Sequence, residues 1–327
     1  MSRMEEIGGM VLFVDKIHPV LKQKLRKLGF DCLEKLDITY NQLLKEANDY
    51  AGLIIRSRFS LNAEFFNEAK HLVFVGRVGS GLENIDTDYA RKCGIYCINS
   101  PEGNRDAVGE HALGMLLALM NNICKADKEI REGFWFREQN MGHEISGRTV
   151  GIIGYGNTGS AFAKRLYGFD ANVIAYDKYK SGFGNNLVKE VTLDDIIKEA
   201  DILSMHVPLT DETHYMVNET FLEKFKKPIY FINTSRGKVV DTKGLVNAIK
   251  ANKVLGAALD VLEYENTSFE NLDQGKSAGC LEFLVKSDNV VLSPHVAGVT
   301  SESQYKLADV LYNKIEALYS SFDLSKK

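Results

Sequence analysis

Val150-Gly-Ile-Ile-Gly154-Tyr-Gly156-Asn-Thr-Gly159 begins as a short apolar run and ends in three glycines spaced G-x-G-x-x-G. The segment behind it, Ser160-Ala-Phe-Ala-Lys-Arg-Leu166, is amphipathic. A strand that enters a tight turn and leaves as a helix is the context in which this spacing binds a dinucleotide. Each glycine has its own reason: Gly154 permits the turn, Gly156 lets a pyrophosphate approach the backbone, and Gly159 lets helix and strand pack closely. Tyr155, Asn157 and Thr158 complete the turn, and the helix N-terminus behind it offers N–H groups and a positive dipole end to phosphates. A second strand, Asn172–Tyr176, follows. Asp177 then stands 21 residues after Gly156, where a carboxylate accepts from ribose hydroxyls. It repels a 2′-phosphate and so favours NAD over NADP. Lys178 softens that preference but lacks the planar fork of an arginine. Taken alone, Asp177 fits a solvated strand-end turn equally well, and the glycine motif identifies a cofactor fold rather than a reaction.

Outward from this turn, short apolar runs alternate with helical patterns. The further runs are Met10–Val14, Gly52–Arg56, Leu72–Gly76, Gly94–Ile98, Ile202–His206, Pro228–Ile232, Val254–Ala258 and Asn289–Leu292. They are continuous rather than alternating, as parallel strands covered on both faces require. The expected class is α/β with doubly wound parallel sheets. After Ser100-Pro101-Glu102, a helix start signal, Ala107, Val108, His111, Ala112, Met115, Leu116 and Leu119 recur at helical spacing. The first domain boundary is expected beside this apolar helix, near residue 99.

Composition narrows the class. The 327 residues are 45% hydrophobic and 26% charged with a net charge of −4, and no block of one sign appears. That argues against nucleic acid as a partner. No apolar run approaches the length of a membrane span, and no signal peptide is evident. Five scattered cysteines, Cys32, Cys93, Cys97, Cys124 and Cys280, suit a reducing compartment rather than a disulfide framework or a metal site. A cytoplasmic enzyme without metal is the expectation.

Three later segments carry the chemistry: Asn233-Thr-Ser-Arg-Gly-Lys-Val-Val-Asp241, Leu259-Asp-Val-Leu-Glu-Tyr-Glu265 and Ser293-Pro-His-Val-Ala-Gly298. In this order behind the glycine motif they resemble the D-isomer-specific 2-hydroxyacid dehydrogenases, the family of phosphoglycerate, glycerate, glyoxylate, D-lactate and formate dehydrogenases. Arg77-Val-Gly-Ser-Gly-Leu-Glu-Asn-Ile-Asp86, Asn104-Arg-Asp-Ala-Val-Gly-Glu-His111 and His206-Val-Pro-Leu-Thr210 extend the resemblance over almost the whole chain.

The resemblance implies a Rossmann NAD-binding domain, residues 100–293, inserted in a flavodoxin-like substrate domain of residues 1–99 and 294–327. It implies hydride transfer between NAD and C2 of a small 2-hydroxy or 2-oxo acid. Arg236 matches the substrate-binding arginine, able to hold a carboxylate and polarise a ketone together. His295 matches the acid/base, a side chain that exchanges protons near neutral pH. Glu265 matches its carboxylate partner, which stabilises an imidazolium. Val108, His206, Val207, Pro208, Thr234, Ser235 and Asp260 match positions around the cofactor. Gly79, Ser80 and Gly81 match a loop whose amides form a nest for the substrate carboxylate.

Substrate identity stays open. Arg56 and Ser57 resemble a pair that meets substrate in phosphoglycerate dehydrogenases, and Arg58 and Arg77 add charge nearby, yet all are equally at home as strand-end residues. Two departures from the family pattern stand out. Asn266 follows Glu265 where proline is usual, opening a polar loop to Lys286, and Arg105-Asp106 replaces small polar residues. The chain ends soon after a closing helix over Ser301–Leu318, so no additional regulatory domain is expected. The apolar helix after Ser100 resembles the family's dimerisation arm, which implies a homodimer. Two alternatives stand beside the main reading. One is a non-enzymatic regulator that senses NAD(H), like the C-terminal-binding corepressors; the other is a formate or phosphonate dehydrogenase.

Overall fold

The computed structural model describes residues 9–265 and 278–324. They form two compact units, one of residues 9–104 and 299–324, the other of residues 105–265 and 278–298. Both divisions fall about five residues beyond the boundaries of 99 and 294 read from the sequence, and local contacts explain why. Ser100 N donates to Gly79 O, and Gly103 packs flush on the backbone of Leu307, so residues 100–104 stay with the first unit. The amides of Val296 and Ala297 donate to Asp260, which ties residues 293–298 to the second.

The first unit is built on a five-stranded parallel sheet. Its strands are β1 (Met10–Phe13), β2 (Asp31–Glu34), β3 (Gly52–Ile55), β4 (Phe74–Arg77) and β5 (Tyr96–Asn99), in the order β2-β1-β3-β4-β5. That is the flavodoxin-like order. Alternation within each strand supplies two cores. Leu12, Leu53, Ile55 and Val75 pack on one face with Leu43, Phe65 and Phe66. Val11, Phe13, Ile54 and Phe74 pack on the other with Leu21, Leu25, Leu311 and Ile315. The closing helix, Ser301–Leu324, thus completes the face that helix Pro19–Lys27 begins.

The second unit holds seven parallel strands: β6 (Thr149–Ile153), β7 (Asn172–Tyr176), β8 (Lys189–Glu190), β9 (Ile202–Met205), β10 (Ile229–Asn233), β11 (Val254–Leu259) and β12 (Val290–Leu292). Their order, β12-β11-β10-β9-β6-β7-β8, reverses at β6, the topological switch point of a Rossmann sheet. Helix Arg105–Met120 buries Ala112, Met115, Leu116 and Leu119 against Val150, Ile152, Ile232 and Ala258. A Cβ on Gly109 would come within 2.9 Å of the Ala161 backbone, so this helix lies directly on helix Asn157–Arg165. Asp106 pairs with Arg165 over 3.1 Å, which gives that departure from the family pattern a structural role.

Two strands escape the apolar-run criterion. β2 reads Asp-Cys-Leu-Glu at a sheet edge, and β8 is a Lys-Glu pair at the other sheet's edge. Edge strands carry charge on purpose. The apolar helix starts at Arg105, four residues after the Pro101 signal, and Asn122 at φ 53° separates it from a second helix, Ile123–Arg131.

Candidate active site

The glycine turn behaves as its spacing predicts. Gly154 lies at φ 94°, and a Cβ there would overlap the carbonyl of His206. A Cβ on Gly159 would overlap the Gly154 carbonyl, whereas Gly156 faces open space. That opening lies just before helix Asn157–Arg165, and a helix N-terminus offers its free N–H groups to an anion. Asp177 organises the turn: its carboxylate accepts from the amides of Tyr155 (2.8 Å), Tyr179 (2.9 Å) and Lys180 (3.1 Å). The Tyr155 ring stacks on Phe183 with centroids 4.5 Å apart.

His206 is buried between two hydroxyls, Ser204 Oγ at 2.9 Å from Nε2 and Thr158 Oγ1 at 3.2 Å from Nδ1. Burial pushes its imidazole down to about 3, so it stays neutral and serves as a strut under the phosphate turn. Val207 packs against Gly154, and Pro208 O accepts from Thr213 Oγ1. Thr234, at the end of β10, has a buried hydroxyl with no partner among the described residues. An orphaned buried polar atom and an open glycine are the features that a dinucleotide at this edge would satisfy. Ser235 is already engaged, its hydroxyl and amide both donating to Asn233 Oδ1. Val108 is buried on helix Arg105–Met120.

Arg236 follows directly. Asn233, almost fully buried, also donates from Nδ2 to Arg236 O over 3.0 Å, so one amide side chain sets the whole Thr234–Arg236 turn. A Cβ on Gly237 would overlap the carbonyl of Leu262, which presses the Arg236 turn onto the segment leading to Glu265. Glu263 braces that segment, accepting from Tyr215 OH (2.7 Å) and from Thr242 N (3.0 Å). Glu265 Oε1 accepts from Leu262 N, and its Oε2 lies 2.6 Å from His295 Nδ1. The sequence-predicted Glu265 and His295 thus form one half-buried pair.

His295 itself is held at φ 53°, in the left-handed region that non-glycine residues rarely enter. Asp260 explains it. Its backbone carbonyl accepts from His295 N, and its carboxylate accepts from Ser293 Oγ (2.6 Å), Val296 N (2.9 Å) and Ala297 N (2.9 Å). Burial works to raise this carboxyl. The hydrogen bonds from the His111 side, Ser293, Ala297 and Val296 outweigh it and hold the group below the usual carboxylate range. His111 Nε2 lies 2.9 Å from Ser293 Oγ and 3.5 Å from Asp260 Oδ1, so it faces both members of that hydrogen bond. Asn233, Gly237, Ser293 and His111 stand inside the motifs, but nothing in their spacing reveals these supporting roles.

In the first unit, Arg56 and Ser57 follow β3, and the 79–81 turn follows β4. Arg58 spends its guanidinium on the carbonyls of Val14, Leu36 and Ile38. Arg77 is buried and donates from Nε to Arg56 O. The Arg56 side chain has no partner among the described residues. Ser80 Oγ donates to Asn104, and Gly79 O accepts from Ser100 N, while the amides of residues 79–81 donate to no described residue. Asn266 and most of the loop behind Glu265 lie outside the described residues. Among the described residues, no group of acidic, His or Cys side chains could hold a metal ion, and no helix is long and apolar enough to cross a membrane.

Residues 113–297 match the model of the D-isomer specific 2-hydroxyacid dehydrogenase NAD-binding domain. D-3-phosphoglycerate dehydrogenase of Archaeoglobus fulgidus is 36% identical over 93% of this chain, which spans only 56% of that protein's length. Glyoxylate reductase of Thermofilum pendens is 37% identical over 85% of this chain and 80% of its own. The solved D-lactate dehydrogenase of Aquifex aeolicus, complexed with NAD and lactic acid, superposes with a TM-score of 0.78 at 27% identity over 96% of both chains. Two parallel α/β sheets, a glycine turn at the switch point and a joined carboxylate–histidine pair, together with these matches, make the chain a member of the D-isomer-specific 2-hydroxyacid dehydrogenase family, with an NAD-binding domain in its second unit.

Proposed function

We propose that the protein interconverts a small D-2-hydroxy acid and its 2-oxo acid, with Arg236, Glu265 and His295 as the catalytic residues. The Glu265–His295 contact at 2.6 Å carries this reading, because it orients a proton-exchanging side chain. NAD, when bound, supplies the acceptor or donor of hydride at C2. Gly154 to Gly159, Asp177, Val207, Pro208, Thr234 and Val108 are proposed to hold it, with His206 and Thr158 stiffening the turn. Arg236 binds the acid's carboxylate and polarises its carbonyl. Glu265 occupies His295 Nδ1, so Nε2 is the nitrogen that passes a proton to the carbonyl oxygen.

The carboxyl edge of the five-stranded sheet is proposed as an anion-holding edge, through the unengaged amides of Gly79, Ser80 and Gly81 and the guanidinium of Arg56 beside Ser57. One available arginine there favours an acid with a second anionic group, and 3-phosphoglycerate is the proposed substrate. We further propose a cytoplasmic homodimer. Five free cysteines support the compartment. The exposed Phe134, Trp135, Phe136 and Met141 beyond helix Ile123–Arg131 support the dimer. The test is NADH absorbance against phosphohydroxypyruvate, hydroxypyruvate, glyoxylate, pyruvate and formate, with H295A as control. Turnover that disappears in the variant supports the reading. Tight NADH binding without turnover on any acid would favour a regulator instead.

A further inference from the structure

At the carboxyl edge of the seven-stranded sheet, Glu212 joins two turns that the strand order keeps apart. Glu212 belongs to the turn behind β9, while Lys178 and Tyr179 follow β7, and β6 with its glycine turn runs between them. Strands about 4.8 Å apart place β7 and β9 about 10 Å from each other. The side chains cover that span. Lys178 Nζ donates to Glu212 Oε1 over 2.7 Å, and Tyr179 OH donates to Glu212 Oε2 over 2.5 Å. The Lys178 ammonium also lies 5.5 Å from the centre of the Tyr179 ring. Glu212 is presented by a built turn: Thr210 N donates to Thr213 Oγ1, and Thr213 Oγ1 donates to Pro208 O. The bridge therefore crosses the crevice at the switch point, where open α/β sheets bind their ligands.

We propose that Glu212 is a cofactor-specificity residue, pairing with the Lys178 ammonium at the ribose end of the dinucleotide so that a 2′-phosphate meets two carboxylates and an ammonium already neutralised. This rests on the reading of Asp177 as the ribose ligand. Lys178 is the cation adjacent in sequence to Asp177, and left unpaired it would neutralise a phosphate there. Lys180, the other cation of the turn, directs its ammonium toward the Tyr155 carbonyl at 3.4 Å. The shared hydrogen bond shifts Lys178 upward and Glu212 downward, so both stay charged throughout the working pH range. The lysine that softens NAD selection in the sequence is thus neutralised by a residue 34 positions away.

E212Q keeps the shape and a hydrogen-bonding group while removing the charge. The measurement is kcat/KM, with direct binding constants, for the NAD and NADP forms of the cofactor in parallel. The preference is expected to move toward NADP by roughly fivefold, the upper range for an exposed ion pair. The gain should shrink as salt screens it and disappear in E212Q/K178M. An unchanged preference in E212Q, an equal change for both cofactors, or a gain that survives K178M would overturn the proposal. D177A separates this idea from the reading beneath it. If D177A leaves the preference where it was, the ribose assignment of Asp177 is wrong. If D177A relaxes the preference and E212Q does not, only the role of Glu212 is wrong.

Discussion

The backbone of His295 hangs on Asp260: the His295 amide donates to the Asp260 carbonyl over 2.7 Å, and the next two amides donate to its carboxylate oxygens. This anchoring lets a histidine occupy φ 53° and face Glu265. D260N places an NH2 group against amides that need an acceptor. A cost of about 3 kcal/mol for such a mismatch corresponds to roughly a hundredfold in kcat/KM. Steady-state kinetics on the folded variant, verified by circular dichroism, checks it; a loss under threefold would refute the anchoring role.

Acid stability should report His206. Its folded pKa is depressed to about 3 by burial, whereas an exposed histidine titrates near 6.5. Between those values the unfolded chain binds a proton that the folded one refuses. The stability from this site is therefore full above pH 6.5 and declines as pH falls toward 3, with a slope of about 1.4 kcal/mol per unit. Urea midpoints of H206N, which has no such proton to bind, are expected to vary less with pH across this window than those of the wild type.

G237A tests the contact that joins the arginine turn to the glutamate segment. Its Cβ would overlap the Leu262 carbonyl, so backbone must move. Overpacking of this kind costs about 1–3 kcal/mol in stability. KM for the 2-oxo acid should rise along with a fall in kcat, because Arg236 and Glu265 move together. Unaltered kinetics would mean that the two segments adjust independently.

Arg56 and Arg58 should separate cleanly. R58M loses three carbonyl contacts and is expected to lower the melting temperature, with little dependence of KM on the acid used. R56M should keep its stability and raise KM for phosphohydroxypyruvate at least tenfold more than for glyoxylate, about 1.4 kcal/mol of discrimination. Equal KM changes for both acids would leave Arg56 without a role in choosing substrate.

Trp135 is 76% exposed and Met141 78%, with Phe134 and Phe136 exposed beside them. If a second copy covers them, W135D should halve the mass seen by light scattering at micromolar concentration. A wild-type monomer would dispose of the dimer outright.

Much of this architecture is legible in the amino-acid sequence. Central strands such as Ile202–Met205 and Ile229–Asn233 are continuous apolar runs because both their faces are covered. The edge strands Asp31–Glu34 and Lys189–Glu190 are not legible, since an edge needs charge more than hydrophobicity. Arg236, Glu265 and His295, the residues proposed for catalysis, can be picked out because they stand in motifs that resemble those of a family. Asn233, Ser293 and His111 cannot, because asparagine, serine and histidine carry no signature for bonding to a backbone many residues away.

The amino-acid sequence by itself determined the α/β class and showed the glycine turn, since glycine spacing and apolar runs are local properties, while the three residues proposed for catalysis came from the resemblance of their motifs to a family. Only the tertiary structure decided which charges are spent and which remain available. Asp260 is consumed by the His295 turn, Arg58 by three carbonyls and Lys178 by Glu212, while the Thr234 hydroxyl and the Arg56 guanidinium have no partner among the described residues. The reason is physical: a side chain's partners come from segments far along the chain, and hydrogen bonding depends on distances that sequence separation does not encode.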